Sequence, residues 1–258
     1  MTAAADALGR LTEVADWMRW RLVGPGDPLA PGEVSSADLT HPDVVGHQIA
    51  TSADARGTDD PVVLASLWWQ GYAYRTAGVA LACWLLSGVA PDCRADSMGV
   101  GVARGRPSST IWRRSHRHAA VGAATSLADH LFAGHLDLVA AALPRVGSQL
   151  VWGNVAAACA SGAGAVREAC GPAWHDRVAE FLTAAPHGLA GLGRWEPAAD
   201  PVAGAWAFHR RTCCLWWKTT TSGGALCADC SLHRSPARWR TLRDARNERP
   251  PFGPSTAL

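Results

Sequence analysis

Four cysteines near the carboxyl end constrain this chain more than any other feature. Cys213 and Cys214 are adjacent, Cys227 and Cys230 form a C-x-x-C pair, and all four fall within 18 residues. Thiolates are soft ligands that suit zinc ions and iron–sulfur clusters. The loop between the pairs is rich in threonine, serine and glycine (residues 219–224), so it is flexible enough to fold back. We therefore predict that both pairs meet around one inorganic centre.

The spacing of these cysteines favours an iron–sulfur cluster and leaves zinc open. Structural zinc usually takes C-x2–4-C pairs, whose sulfurs point to one tetrahedral ion. Adjacent side chains such as those of Cys213 and Cys214 diverge in an extended chain, which suits a single ion poorly. A cluster with two irons offers two attachment points, and a [2Fe–2S] cluster needs four thiolates in total. The segment provides that number.

Two further elements accompany the cysteines and carry a resemblance. Arg210 and Arg211 lie just before Cys213, and a Trp152-Gly153-Asn154 element lies in an earlier helical stretch. With these elements the chain resembles the FhuF-like ferric-siderophore reductases, whose members end in a C-C-x10-C-x2-C motif that binds a [2Fe–2S] cluster. The inner gap here is x12. Two extra residues in such a loop cost little, because loop-closure entropy grows slowly with length.

The resemblance implies a function. A [2Fe–2S] cluster on the four cysteines would pass one electron to a ferric siderophore, of the hydroxamate class, and the iron would leave as Fe(II). Ferredoxin or a reduced flavin would supply the electron, and no catalytic group beyond the cluster is needed. We expect the chelate to rest in a shallow pocket, whose candidate walls are Trp216, Trp217, Lys218, Arg104, Arg106, Arg113 and Arg114.

Three alternatives stay open. A zinc-stabilised interaction module would keep the four cysteines without a redox role. A [2Fe–2S] electron carrier could serve a different acceptor. A decayed relative of the siderophore synthetases, which share a helical region with this family, would need a nucleotide site. The chain has neither a P-loop nor a G-x-G-x-x-G element before a helix, so the sequence gives that third alternative no support.

Charge and hydropathy exclude other classes of function. The net charge of +2 gives no argument for nucleic-acid binding. Basic residues are concentrated in two stretches, 104–117 and 210–240. These are either solvated surfaces or a positive rim that attracts an acidic donor or an anionic substrate. The first 22 residues are too charged for a secretory signal, and the most apolar window, 78–90, is too short to span a bilayer. We expect a cytoplasmic protein with at most peripheral membrane association.

The predicted fold is mainly α with a small β-sheet or hairpin. We expect a helical body (1–205), a short iron–sulfur lobe (206–245) and a tail (246–258). The remaining cysteines, Cys83, Cys93, Cys159 and Cys170, are expected to be small buried hydrophobic residues. Helical periodicity predicts helices over 2–22, from Asp60 to Gly88, over 119–185 with breaks near Gly134 and Pro144, and over 202–210. A hairpin is predicted over 97–113, and loops over 24–58 (with one short strand) and 186–199.

Overall fold

The computed structural model describes most of the chain. The described residues are 3–15, 17–24, 26–89, 92–113, 123–144, 146–171, 173–197, 206–227 and 229–232. The expected tail, Arg114 and the start of the helix expected at 202–210 lie outside these residues.

The described residues are predominantly helical, which confirms the predicted fold class. The helices are α1 (Ala3–Val14), α2 (Pro42–Ala50), α3 (Ala53–Arg56), α4 (Pro61–Ala73), α5 (Val79–Ser87), α6 (Ala124–Leu131), α7 (Asp137–Ala141), α8 (Ser148–Ala165), α9 (Arg167–Cys170) and α10 (Trp174–Ala184). Two π-helical turns, Tyr74–Gly78 and Phe132–Leu136, join α4 to α5 and α6 to α7. The second replaces the break that was expected near Gly134.

Two small sheets complete the fold. Their strands are β1 (Trp20–Val23), β2 (Glu33–Ser35), β3 (Met98–Ala103), β4 (Arg106–Arg113), β5 (Gly193–Pro197) and β6 (Trp206–Arg210). The larger sheet has the order β1-β4-β3-β2, with β1 parallel to β4, and β5 pairs antiparallel with β6. The predicted hairpin is confirmed as β3 and β4. It turns through Arg104 and Gly105, whose φ angles are 51° and 69°, as a tight two-residue hairpin turn requires.

A nearly apolar helical layer forms the core. α4 begins as its sequence predicts: Asp60 accepts hydrogen bonds from the backbone of Val62 and Val63, and Pro61 occupies the first turn. From Val63 to Ala73 every residue is buried, because α8, α2, strand β4 and the turn Trp216–Lys218 pack around α4. Within the described residues, no helix is both long and apolar enough to cross a membrane.

α8 crosses this layer at very short range, where two glycines meet. A Cβ atom on Gly162 would lie 2.1 Å from the carbonyl oxygen of Gly78, and one on Gly78 would lie 2.8 Å from that of Ala158. Trp69 fixes the crossing by donating its indole N–H to the carbonyl of Val151 at 2.9 Å. The close packing places the start of α8, which carries Trp152 and Asn154, directly against α4.

Four sequence expectations were wrong in the described residues. Residues 206–210 form strand β6 rather than a helix, because they pair with β5 in a stretch expected to be a loop. The first helix ends at Val14, and Trp20–Val23 pairs with β4. The stretch 24–58 holds α2 and α3 besides the expected short strand, which is β2, and the expected loop 186–199 holds β5. In the first two cases, pairing with residues distant in sequence outweighs local helical periodicity.

A buried polar group lies in the middle of the core. The hydroxyl of Tyr72 lies 2.7 Å from Ser36 Oγ and 2.5 Å from His135 Nε2, while His135 Nδ1 lies 2.8 Å from the carbonyl of Cys93. His135 and Tyr72 have no exposed surface. Burial lowers the pKa of His135 to about 4, against a smaller opposite effect of its hydrogen bond to Cys93. The imidazole is therefore neutral at physiological pH.

This neutral imidazole should make folding sensitive to mild acid. Because the pKa of His135 is depressed from 6.5 to about 4, its contribution is intact above pH 6.5 and is lost as the pH falls towards 4. We expect the free energy of unfolding from urea titrations to be about 2 kcal/mol lower at pH 5 than at pH 7. His135→Gln should remove most of this difference, whereas His47→Gln, at an exposed residue of α2, should keep it. An unchanged difference in His135→Gln would contradict the prediction.

Candidate metal centre

The cysteine segment follows β6 and folds as a series of tight turns. β6 ends at Arg210, whose backbone N–H donates to the carbonyl of Asp229 at 3.4 Å, so the strand touches the C-x-x-C turn directly. Leu215 adopts a left-handed conformation with φ 70°, which reverses the chain just after Cys214. The chain then forms two short 3-10 turns, Trp216–Lys218 and Thr220–Ser222.

The loop between the two cysteine pairs is anchored on the helical body. Thr220 donates its backbone N–H to the carbonyl of Gly57 at 3.2 Å, and Thr221 Oγ1 donates to the carbonyl of Arg56 at 3.1 Å. Gly57 has φ 61°, and a Cβ atom there would lie 1.8 Å from Thr220 Oγ1. This contact requires glycine, which lacks a Cβ. The end of α3 therefore holds the loop in place.

The four predicted ligands come together. We call Cys213, Cys214, Cys227 and Cys230 the cysteine quartet. Cys214 Sγ lies 3.5 Å from Cys227 Sγ, and the thiol of Cys230 hydrogen-bonds with those of both Cys213 and Cys227. Cys214 and Cys230 are buried, whereas Cys213 and Cys227 are partly exposed. All eight cysteines of the chain lie in the described residues, and none of them forms a disulfide.

Backbone N–H groups point at three of these sulfurs. Leu215 donates to Cys213 Sγ at 3.4 Å, and Leu232 donates to Cys230 Sγ at 3.5 Å. Trp216 donates its backbone N–H to Cys214. Such bonds favour the thiolate over the thiol and are among the features that tune iron–sulfur clusters. The turns that carry the quartet are therefore suited to negatively charged sulfur.

The thiols of the quartet differ in acidity. The hydrogen bond from Cys227, and then the positive charge of Arg210, lower the pKa of Cys214 to about 7, although burial opposes the shift. The pKa values of two other thiols are raised. Hydrogen bonding to Cys214 raises the pKa of Cys227, and hydrogen bonding to Cys230 raises that of Cys213. Of these three thiols, Cys214 is therefore the one that loses its proton first.

The donor set of the quartet fits a [2Fe–2S] cluster. Four sulfur atoms meet beside N–H donors and a buried cation, and a [2Fe–2S] cluster is held by four thiolates. Each residue of the C-C pair contacts a different residue of the C-x-x-C pair. As the side chains stand in the described residues, no group of three or more His, Cys, Asp or Glu is arranged to hold a metal ion. The fit therefore rests on the chemistry of the donors and on their contacts.

A buried polar chain connects the quartet to the helical body. Ser66 of α4 donates its hydroxyl to the carbonyl of Cys214 at 3.0 Å. Asn154 of α8 donates to the carbonyl of Ser66 at 3.0 Å and accepts from Arg210 Nη2 at 2.9 Å. Arg210 Nε lies 3.3 Å from Asp229 Oδ2. These hydrogen bonds explain the Trp-Gly-Asn element, since Asn154 links Arg210, just before the cysteines, to α4 beneath them.

Arg56 is a second buried cation beside the quartet, and sequence reasoning missed it. Its guanidinium is 1% exposed and lies 5.9 Å from the ring centre of Trp216. Burial and the nearby Arg106 lower the pKa of Arg56 to about 10, and Cys214 opposes that shift, so it is charged at neutral pH. Nothing local in the sequence marks Arg56, because its site is created by the fold.

An open cleft adjoins one residue of the quartet. It has a volume of about 630 Å³ and is lined by Cys213, Arg211, Thr212 and the start of α8 (residues 147–150). Arg211 is exposed, and the first backbone N–H groups of a helix have no partner within it. The lining beside Cys213 therefore includes the positive charge of Arg211 and the first residues of α8, Ser148 and Gln149, whereas Leu150 donates its N–H to the carbonyl of Gly147.

The predicted pocket walls do not form one group. Trp216 packs against Val63 and Leu67 beneath the quartet, while Trp217 is 40% exposed with Lys218 Nζ 5.9 Å from its ring centre. On the hairpin, Arg104 is exposed at the turn. Arg106 lies near Arg56. Arg113 is at the far end of β4, about 23 Å from Arg106 at 3.3 Å per residue, where it donates to the carbonyl of Asp27. Arg114 is outside the described residues.

Comparison with known proteins gives little. No family model and no curated protein matches the chain. Among solved structures, it is similar to the aerobactin synthetase IucC from a hypervirulent pathotype of Klebsiella pneumoniae, at 15% identity and a TM-score of 0.43. The match covers 59% of this chain and 32% of the synthetase. A likeness this remote bears on neither activity nor substrate.

Proposed function

We propose that the protein is a ferric-siderophore reductase whose [2Fe–2S] cluster is held by the cysteine quartet. The observation that carries the proposal is the meeting of four thiols, free of disulfides, with backbone N–H groups directed at three of them. The resemblance in the cysteine motif, with Arg210 and Arg211 just before it, supplies the reaction class.

The chemistry needs one electron and no acid–base group. When bound, a [2Fe–2S] cluster supplies a one-electron reductant. Hard oxygen donors, such as those of hydroxamates, hold Fe(III) tightly and Fe(II) much less, so one electron loosens the iron and leaves the chelator intact. The donor loses one electron in each turnover, and reduced ferredoxin or reduced flavin has the chemistry for this role. The remaining work of the chain is to bind and orient the chelate.

The cleft beside Cys213 supports this role. Of the quartet, only Cys213 contributes to the cleft lining, so a chelate seated there would touch the centre at one of its partly exposed ligands. Arg211 and the first turn of α8 supply positive charge and N–H donors for oxygen atoms of the chelate. Trp217 and Lys218 are both exposed in the 3-10 turn that follows Cys214, and they are further candidate contacts for the chelate.

Spectroscopy and single-turnover kinetics test the proposal. Protein purified anaerobically should contain iron and acid-labile sulfide in equal amounts, absorb in the visible range and give an EPR signal after dithionite reduction. The reduced protein, mixed with a ferric trihydroxamate, should reoxidise while a ferrous-specific chelator traps Fe(II). The amount trapped should match the electrons lost. Wild-type protein without acid-labile sulfide, even after reconstitution, would overturn the proposal.

The same measurements separate the open alternatives. Colourless protein with stoichiometric zinc would identify a zinc-stabilised interaction module. A reducible cluster that is not reoxidised by ferric trihydroxamates or ferric catecholates would identify an electron carrier with a different acceptor.

A further inference from the structure

A fully buried arginine lies beside the sulfurs of the cysteine quartet. The side chain of Arg210 has no exposed surface. Moving a guanidinium out of water costs several kcal/mol unless charges and hydrogen bonds compensate for the lost hydration. The surroundings of Arg210 therefore show which charge this position is built for.

The protein replaces the lost hydration of the Arg210 guanidinium only in part. Nη2 donates to Asn154 Oδ1 at 2.9 Å and to the carbonyl of Gly153 at 3.4 Å, and Nε lies 3.3 Å from Asp229 Oδ2. Nη1 has no hydrogen-bond partner among the described residues. The side chain of Asp229 is 24% exposed, so water shares its charge. One partly hydrated carboxylate thus faces a guanidinium that has left water completely.

The remaining compensation comes from sulfur. Arg210 lies three residues before Cys213, and its backbone N–H donates to the carbonyl of Asp229, between Cys227 and Cys230. Its guanidinium is linked through Asn154 and Ser66 to the carbonyl of Cys214. A quartet of thiolates around an inorganic centre carries net negative charge, and at such short range in a buried site this charge interacts strongly with a cation. An anionic centre therefore completes the environment of Arg210.

We propose that Arg210 is a positioning residue that acts as the buried counter-charge of the cysteine quartet, and that it raises the reduction potential of a cluster held there while Asp229 lowers it. The statement about potential rests on the proposed function, whereas the counter-charge role applies to any anionic centre on the quartet. Reduction adds one negative charge to the centre, so a neighbouring cation favours the reduced state and a neighbouring anion disfavours it.

Burial distinguishes Arg210 from the other basic residues of the segment. Arg211, the next residue, is exposed, and so is Lys218. Water and salt screen exposed charges, so their effect on the centre is small. The pair Arg210 and Arg211 thus offers a matched comparison of two arginines adjacent in sequence, one buried and one exposed.

The test measures reduction potentials of four variants by EPR-monitored redox titration. Arg210→Gln keeps hydrogen-bond donors for Asn154 but removes the charge, and should lower the equilibrium constant for reduction about tenfold, or 59 mV for one electron. Asp229→Asn should raise it about threefold. Arg210→Lys, which keeps the charge, should stay within about threefold of wild type, and Arg211→Gln within about twofold.

The decisive result is a lowered reduction potential in Arg210→Gln together with a raised reduction potential in Asp229→Asn. A purely structural role for Arg210 would impair cluster retention in both variants and would not move the potentials in opposite directions. If Arg210→Gln fails to hold a cluster, Asp229→Asn and Arg210→Lys decide. An unchanged or lower potential in Asp229→Asn, or a potential in Arg210→Lys lowered as far as that expected for Arg210→Gln, would overturn the proposal.

A second probe separates this proposal from the proposed function. Anaerobic metal-free protein is titrated with Co²⁺, whose thiolate charge-transfer absorption reports binding to the quartet. Affinity should rise in Asp229→Asn and fall in Arg210→Gln, since the charge of the complex is again negative. If the wild type forms no iron–sulfur cluster but shows this order with Co²⁺, the reductase function is wrong and the role of Arg210 stands. Absence of the order, or of Co²⁺ binding as well as of the cluster, overturns the role.

Discussion

Replacement of Cys214 by serine is expected to abolish both visible absorption and ferrous-iron release. Cys214 is 1% exposed, and the pKa of its thiol is lowered. A serine hydroxyl at this position stays protonated and is a hard ligand, so it replaces a thiolate poorly. Iron and sulfide content after anaerobic reconstitution, together with stopped-flow reduction of a ferric trihydroxamate, should fall to the level of the metal-free protein.

The same loss is expected for serine at Cys213, Cys227 or Cys230, because a [2Fe–2S] cluster needs all four thiolates. Cys170→Ser is the control, since Cys170 is partly exposed in α9 and belongs to no such group. This variant should keep the spectrum and the activity of the wild type. Full activity in any of the quartet variants would overturn the assignment of that residue as a ligand.

The parts of the fold that the sequence predicts are those with local signals. Asp60 followed by Pro61 starts α4, because a side-chain cap and a fixed φ act within one turn. The hairpin of β3 and β4 follows from alternating residues around a Gly-containing turn. The C-C and C-x-x-C pairs identify the quartet by spacing alone. None of these inferences needs knowledge of distant partners.

The errors arise where distant partners decide the structure. Trp206–Arg210 reads Trp-Ala-Phe-His-Arg, which has no clear period-two signal, so the sequence predicts a helix feeding the motif. The strand is formed because β5 pairs with it, in a region without a clear pattern. This matters for the site: β6 ends at the buried Arg210 and brings it to the C-x-x-C turn.

The surroundings of the quartet were largely beyond sequence reasoning. Arg210 and Asn154 were singled out, but their contact depends on how α8 packs against α4 and β6. Arg56 and Ser66 lie roughly 150 residues from the cysteines, on helices whose sequences carry no sign of a functional site. The basic stretch from Arg104 was expected to act as one surface, whereas a strand spreads its side chains along its length and over two faces.

Replacement of Asn154 by leucine is expected to be among the most destabilising single changes in the helical body. Asn154 is completely buried. Its side-chain amide forms hydrogen bonds with Ser66 on one side and with Arg210 on the other. Leucine keeps the branch at Cγ but has no polar atoms, so the change removes the hydrogen bonds around a buried charge and adds a cost for its larger volume. We expect the free energy of unfolding of the metal-free protein to fall by about 3–5 kcal/mol, as when a buried ion loses a partner, measured by urea titration at pH 7.

Two variants show whether the charge of Arg210 causes this loss. Thr183→Ala removes an exposed hydrogen bond within α10 and should change the free energy of unfolding by less than about 0.5 kcal/mol. The double variant Asn154→Leu/Arg210→Met removes the buried charge together with its partner and leaves Asp229, which is partly exposed, to water. It should therefore be more stable than the sum of the two single changes predicts, by about 1–3 kcal/mol. Strict additivity would mean that Asn154 supports the packing of α8 independently of Arg210. The hydrogen bonds that link α4 through Asn154 to Arg210 would then make no joint contribution to stability.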